Sequence, residues 1–172
     1  MVPENIFLPA LICATVAFLI LEVTRLKFPQ VNRRFLTWFH PLLREQEASR
    51  LTGTAYLLMA AVIVFVFCDK YIAVIALTFV AVGDPIAGMV GERWGKLRMR
   101  DKSLVGSGAC LLSCLVAGAI LSAITDVALP LVVIGALCAT LMEFISLRIN
   151  DNLTVPLVSG GAMMLVKLAV AV

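Results

Sequence analysis

Six apolar stretches dominate this chain of 172 residues, running roughly from Ile6 to Leu21, Leu51 to Cys68, Tyr71 to Val90, Leu104 to Ile124, Val127 to Leu147 and Leu153 to Val172. Each is about long enough to cross a ~30 Å hydrocarbon core as a helix, the first being the shortest. With 62% hydrophobic and 15% charged residues and a mean hydropathy of +1.04, the chain lies far outside the range of soluble domains. The expected fold is all-α, a polytopic membrane bundle of about six transmembrane helices. No Lys or Arg precedes Arg25, so the first stretch lacks the positive flank of a signal peptide and reads as a retained span. Residues 1–172 read as one membrane domain whose functional core covers about 44–161.

Charge between the stretches sets the expected orientation, because Lys and Arg accumulate on the cytosolic side. Twelve of the fourteen basic residues fall between stretches one and two, three and four, or five and six; the exceptions are Lys70 and Lys167. Both termini are therefore expected on the non-cytosolic side, with the polar groups discussed below at the cytosolic face. The formal net charge of +3 follows from this asymmetry and from contact with anionic membrane lipids, and calls for no nucleic acid. In the first connection Val31, Phe35, Trp38, Phe39 and Leu42 recur at helical spacing, which predicts a short amphipathic helix along the interface, bent or ended by Pro41. The five cysteines have no metal-site spacing and read as packing residues, Cys110 and Cys114 on one helix face.

Asp84 lies thirteen residues into the stretch that begins at Tyr71, about 20 Å along a helix and still at hydrocarbon depth. An ionisable group there is costly and marks function by default. Pro85 removes a backbone donor and disfavours helical geometry at Asp84, so a break or kink is expected at Gly83-Asp84-Pro85. Broken backbone at membrane depth needs protein or a wet cavity beside it, which implies a polar pocket. Glu143 stands five residues before Arg148 at the same end of its stretch, and Glu143, Ser146 and Asn150 share a helix face ahead of Asn150-Asp151-Asn152. Hard oxygen ligands of this kind suit Mg²⁺. The alternative for Glu143 is a salt bridge to a basic residue such as Arg148 or Lys102.

Between these acids lies the connection with Gly88, Gly91 and Gly95 and the cations Arg93, Lys96, Arg98, Arg100 and Lys102. Its glycine spacing is neither a Walker loop nor a dinucleotide fingerprint, which excludes a soluble-type nucleotide fold. Stretches two, four and six begin at the same face, and helix N-termini there suit phosphate. Ser103 is placed to cap the fourth helix, whose opening residues Gly106, Ser107, Gly108 and Ala109 are small enough for an oxyanion to approach. Taken alone, those small residues are better explained as helix packing. Acids for Mg²⁺, lysines, glycines and helix N-termini together are the parts that phosphoryl transfer requires.

Three blocks carry a resemblance to a known family: RLTGTAYLL at 50–58, GDPIAGMVGERWGK with KSLVGSGA at 83–109, and EFISLRINDNLTVPLVSGG at 143–161. In them the chain resembles the integral membrane lipid kinases that include dolichol kinase, phytol kinase and the CTP-dependent diacylglycerol kinase. The resemblance implies transfer of the γ-phosphoryl group of a nucleoside triphosphate, typically CTP, to the hydroxyl of a long-chain lipid alcohol, with Mg²⁺ as cofactor. It places Asp84 and Lys102 in catalysis, and Gly88, Gly91, Gly95, Lys96, Ser103, Gly106, Ser107, Asn150 and Asn152 around the nucleotide. It places Asp84, Glu143 and Asp151 at the metal. REQE at 44–47 resembles the family's Arg and Glu ahead of the second span, adding Arg44 and Glu47 to the candidates. Such enzymes work at the plasma membrane or an endoplasmic-reticulum-type membrane, and a homodimer is compatible with so small an interior.

Two other functions use similar parts. A phosphatidate cytidylyltransferase also joins CTP, Mg²⁺ and lipid at a membrane face, and differs in which phosphorus is attacked. A small transporter also uses interrupted helices and buried charges, but here the polar groups cluster at one face and no inverted repeat of the GDP segment occurs.

Overall fold

Backbone N–H and C=O groups find no water in a bilayer, so apolar segments of this length close their hydrogen bonds internally as helices. The computed structural model describes residues 4–39, 48–96, 98–99, 102–145 and 150–170. Its elements are α1 (Glu4–Lys27), α2 (Pro29–Phe39), α3 (Gly53–Phe67), α4 (Lys70–Trp94), β1 (Arg98–Met99), β2 (Lys102–Ser103), α5 (Leu104–Ile124), α6 (Leu129–Ile145) and α7 (Asp151–Val170). Four helical segments are long and apolar enough to span a membrane: Ile6–Lys27 within α1, and α4, α5 and α7. α3 and α6, at 15 and 17 residues, are shorter apolar helices, so four of the six expected spans have full spanning length. The chain divides into two compact units, Met1–Val62 and Ile63–Val172.

In the first unit α1 continues past the expected end of its stretch, because Glu22 and Arg25 neutralise one another inside the fold. Arg25 Nε meets Glu22 Oε1 at 2.8 Å, with the two side chains 0% and 1% exposed. Arg25 also donates to Asn32 Oδ1 at 3.1 Å and to the Arg50 carbonyl at 2.7 Å, and its guanidinium lies 5.0 Å from the centre of the Phe35 ring. Glu22 Oε2 accepts the Thr52 N–H at 2.8 Å, and Asn32 donates to the Ala48 carbonyl at 2.8 Å. Arg25, counted in sequence as a loop cation, thus belongs to a buried network that ties α1 and α2 to the residues opening α3. The amphipathic segment forms the expected helix, α2, ending at Phe39; Pro41 lies outside the described residues.

In the second unit α4 packs against α5, α6 and α7, while α5 packs against α6 and α6 against α7. Small residues set the α4–α5 contact: Gly83, Ala87 and Gly91 recur every four residues on α4, as do Gly106, Cys110, Cys114 and Gly118 on α5. A methyl group at Gly83 would come 2.9 Å from both Cys110 Sγ and Cys114 Sγ, and one at Gly106 would come 2.6 Å from the Ala87 carbonyl oxygen. This is the close backbone approach that small-residue stripes permit in membranes. Phe79, Ile72, Ile75, Val132, Ala136 and Met163 complete the core, while Leu112, Val116, Ile120, Leu137, Leu141 and Leu165 face outward. Helices apolar on both faces are those of a bilayer protein.

Two local expectations are corrected. α4 runs through Gly83-Asp84-Pro85 as one helix, so the alternative of a break is not realised, since packing on three helices outweighs the loss of one backbone donor. Gly88 and Gly91, expected in the connection, likewise lie within α4. The loop after α4 contains a two-stranded antiparallel hairpin, with Arg98 opposite Ser103 and Met99 opposite Lys102, which the all-α expectation did not include.

Candidate active site

α5 begins where Ser103 Oγ accepts the Gly106 N–H at 3.0 Å, the capping role expected of it and worth about 1 kcal/mol. The same side chain rests against Gly91 and Gly95 at the end of α4, where an added methyl at either position would collide with it. The hairpin therefore returns the chain tightly onto α4. From the residue before this cap, the Lys102 side chain reaches Asp84, two helical turns before Gly91.

Four side chains from four elements meet there. The Lys102 ammonium lies 2.8 Å from Glu143 Oε1 on α6, 3.1 Å from Asp151 Oδ2 at the start of α7, and 3.6 Å from Asp84 Oδ1 on α4. The first two are hydrogen-bond distances and the third is an ion pair. The other Glu143 oxygen, Oε2, accepts the Ser107 hydroxyl at 3.0 Å. Glu143 is buried at 3% exposure, whereas Lys102, Asp84 and Asp151 are each about a fifth exposed. Burial disfavours the charge on Lys102, but the hydrogen bond to Glu143 and the negative charges of Asp151 and Glu143 outweigh it. The net effect raises its pKa above the ordinary lysine value, so the ammonium is held firmly.

Asn150 caps α7: its Oδ1 accepts the Asn152 N–H at 3.0 Å, and its carbonyl accepts from Leu153 at 2.9 Å. Asp151 thereby stands in the first turn, where the positive end of the helix dipole favours a carboxylate.

The structure thus brings together Asp84, Lys102, Ser107, Glu143 and Asp151, with Ser103 and Gly106 beside them. For Glu143 the salt-bridge alternative is realised with Lys102; Arg148 and Ser146 lie outside the described residues. Gly91, Gly95 and Gly106 serve the close contact between α4 and the start of α5. Gly88 and Gly108 have open space where a methyl would stand, and Lys96 is exposed two residues past α4. Arg44 and Glu47 lie outside the described residues.

Among the described residues no group of three acid, histidine or cysteine side chains forms a ready-made metal site; Lys102 holds the centre of the acids instead. The donor chemistry nevertheless fits a hard cation, being carboxylate and hydroxyl oxygen throughout. Thr154 adds an orphan: its Oγ1 is buried without a hydrogen-bond partner, one helical turn beyond Asp151. Sequence reading passed over Thr154, as it did the Glu22–Arg25 pair. For the pair, the signal was an acid and a base three residues apart at the end of an apolar stretch.

Comparison with known proteins gives several relatives. One is the CTP-dependent diacylglycerol kinase 1 of Eremothecium gossypii, 31% identical over 91% of this chain and 57% of the relative. Another is the CTP-dependent diacylglycerol kinase 1 of Saccharomyces cerevisiae, 28% identical over 91% of this chain and 62% of that protein. A third is a probable chloroplastic phytol kinase of Triticum aestivum, 34% identical over 59% of this chain and 39% of its own length. The chain spans between 39% and 62% of the length of these relatives, less than two thirds of each. No family profile matches the chain, and no solved structure matches it.

Proposed function

The chain is a relative of the lipid kinases of the dolichol, phytol and diacylglycerol kinase type, and on that premise we propose that it transfers the γ-phosphoryl group of CTP to the hydroxyl of a membrane lipid alcohol. The observation that carries this reading is the meeting of Lys102 with Asp84, Glu143 and Asp151 at the N-termini of α5 and α7. Cationic side chains and helix N-termini receive a triphosphate, and acids serve the metal and the proton. The relatives named for CTP-dependent diacylglycerol kinase and phytol kinase support the donor and the class of acceptor. Apolar helix faces suit an acceptor of the polyprenol, phytol or diacylglycerol type, which shares the bilayer with the enzyme.

In this reading the acceptor oxygen bonds to the γ-phosphorus as the bond from that phosphorus to the β–γ bridging oxygen breaks. CDP leaves with the electron pair, and the hydroxyl proton passes to a carboxylate. Asp84, 3.6 Å from the Lys102 ammonium, is the central acid of the site, acting either on Mg²⁺ or as the acceptor of that proton. Lys102 neutralises the triphosphate, Ser107 fixes the orientation of Glu143, and Lys96 meets the nucleotide from the hairpin side. Asp84, Glu143 and Asp151 would hold Mg²⁺, which neutralises phosphate charge when bound. The protein acts from the cytosolic face with both termini on the other side, in keeping with its basic connections.

The decisive experiment is a matrix of γ-labelled CTP, ATP, GTP and UTP against polyprenol, phytol and diacylglycerol in detergent micelles. Label in a lipid monophosphate, formed with CDP from CTP, is the expected result. A lipid product carrying CMP, or no labelled lipid in any cell of the matrix, would overturn the reading.

A further inference from the structure

Asp84, Glu143 and Asp151 present carboxylate oxygens from three helices toward one point, and the Lys102 ammonium stands at that point. An ammonium draws carboxylate oxygens to about 2.8 Å, whereas Mg²⁺ takes oxygens at about 2.0–2.1 Å in a near-octahedral set. One set of oxygens does not serve both at once. Thr154 stands on the same α7 face as Asp151, one turn away, and its Oγ1 is buried without a hydrogen-bond partner. Buried hydroxyls normally find a partner, and a cation that needs about six oxygens supplies one. Lys102 also has a way out of the cage, because it is 19% exposed and sits on a two-residue strand rather than a helix.

Resting on the metal-ligand reading above, we propose that the Lys102 ammonium and a divalent cation are alternative occupants of a single carboxylate cage, and that the lysine leaves as the metal enters. The free ion must break two hydrogen-bonded charge contacts to enter. A metal arriving with a triphosphate brings new anionic partners for the displaced ammonium. The cage therefore loads with the nucleotide–metal complex in preference to the bare ion, and Lys102 is delivered to the phosphates by the same event.

The test uses Mn²⁺ as a paramagnetic substitute for Mg²⁺, followed by EPR on tag-free protein in micelles, without nucleotide or lipid acceptor. Wild-type protein binds Mn²⁺ weakly, and Lys102→Met binds it at least about tenfold more tightly, the scale on which neighbours of a metal site act. Adding Glu143→Gln to Lys102→Met returns binding to the weak level, and adding Thr154→Val weakens it several-fold. Binding by Lys102→Met that is no tighter than wild type overturns the exchange.

A second measurement on wild-type protein covers the case in which Lys102→Met fails to fold. The rate of Lys102 reductive methylation, read by peptide mass spectrometry, rises with added Mn²⁺ as the ammonium leaves the cage; an unchanged rate overturns the exchange. Neither measurement contains a kinase substrate. A protein that passes both and phosphorylates no lipid sinks the kinase reading alone.

Discussion

Ser107 donates its hydroxyl to Glu143 Oε2 at 3.0 Å, while the other oxygen of that carboxylate holds Lys102 at 2.8 Å. One buried acid from α6 is thus fixed from both sides, by Lys102 on β2 and by Ser107 in the first turn of α5. Glu143→Gln keeps a side chain able to accept from Ser107 but removes the charge. It should reduce phosphoryl transfer by about 10²-fold or more, the scale of losing one positioned electrostatic group. Ser107→Ala, which loosens the same carboxylate without removing its charge, should cost less, and initial rates at saturating CTP compare the two.

Asp84→Asn is expected to abolish lipid phosphorylation while leaving the helical circular dichroism and the thermal midpoint close to wild type. The side chain is a fifth exposed and its replacement is isosteric. A fully active Asp84→Asn protein would remove Asp84 from the proposed chemistry.

The α4–α5 stripe separates two glycines that look alike in sequence. Gly106→Ala drives a methyl to 2.6 Å from the Ala87 carbonyl oxygen and should destabilise by about 1–3 kcal/mol, as overpacking does. Gly108→Ala meets nothing within 4 Å and should be neutral or stabilising by about 0.5 kcal/mol through the unfolded chain. Thermal unfolding in one detergent reads the difference.

Arg25→Met leaves Glu22 buried without its guanidinium and should cost about 3–5 kcal/mol. Glu22→Leu combined with Arg25→Met replaces the pair by apolar side chains and should recover most of that loss. A double-mutant cycle on the unfolding midpoint measures the coupling.

The raised pKa of Lys102 fixes the sign of its pH dependence. A lysine whose folded pKa exceeds its ordinary value of 10.5 contributes stability that is fully present below that value and is lost as pH rises through the folded pKa. The stability difference between wild type and Lys102→Met should therefore stay flat from about pH 6 to 9 and shrink only in strong alkali. Thermal midpoints across a buffer series test this.

Much of this architecture was legible because membrane segments obey simple length and polarity rules. The fourth stretch, Leu104 to Ile124, coincides with α5, and the cap at Ser103 is where a serine ahead of small residues should place it. Asp84 and Glu143 stood out because charge inside apolar sequence has so few explanations, and Asp151 through the block that follows Glu143. The course of α4 through Pro85 was not legible, since local propensity says nothing of the three helices that pack around it. The packing role of Gly91 and Gly106 was not legible either, because it depends on partners across the helix pair. Arg25 looked like one more basic residue of a cytosolic connection, and its burial depends on Asn32, Phe35 and the Arg50 carbonyl, none of which advertises itself in sequence.

The grip of Gly91 and Gly95 on Ser103, together with the interlock of Gly83 and Ala87 with α5, has a consequence for how such chains diverge. The segment from Gly83 to Gly106 works as a vernier: α4 and α5 are read against each other in fixed steps, and Asp84 and Lys102 are marks on the two scales. Residues added or lost within it would slide one scale past the other and part the acid from its lysine. Length variation among relatives, which are considerably longer than this chain, should therefore collect outside this interval.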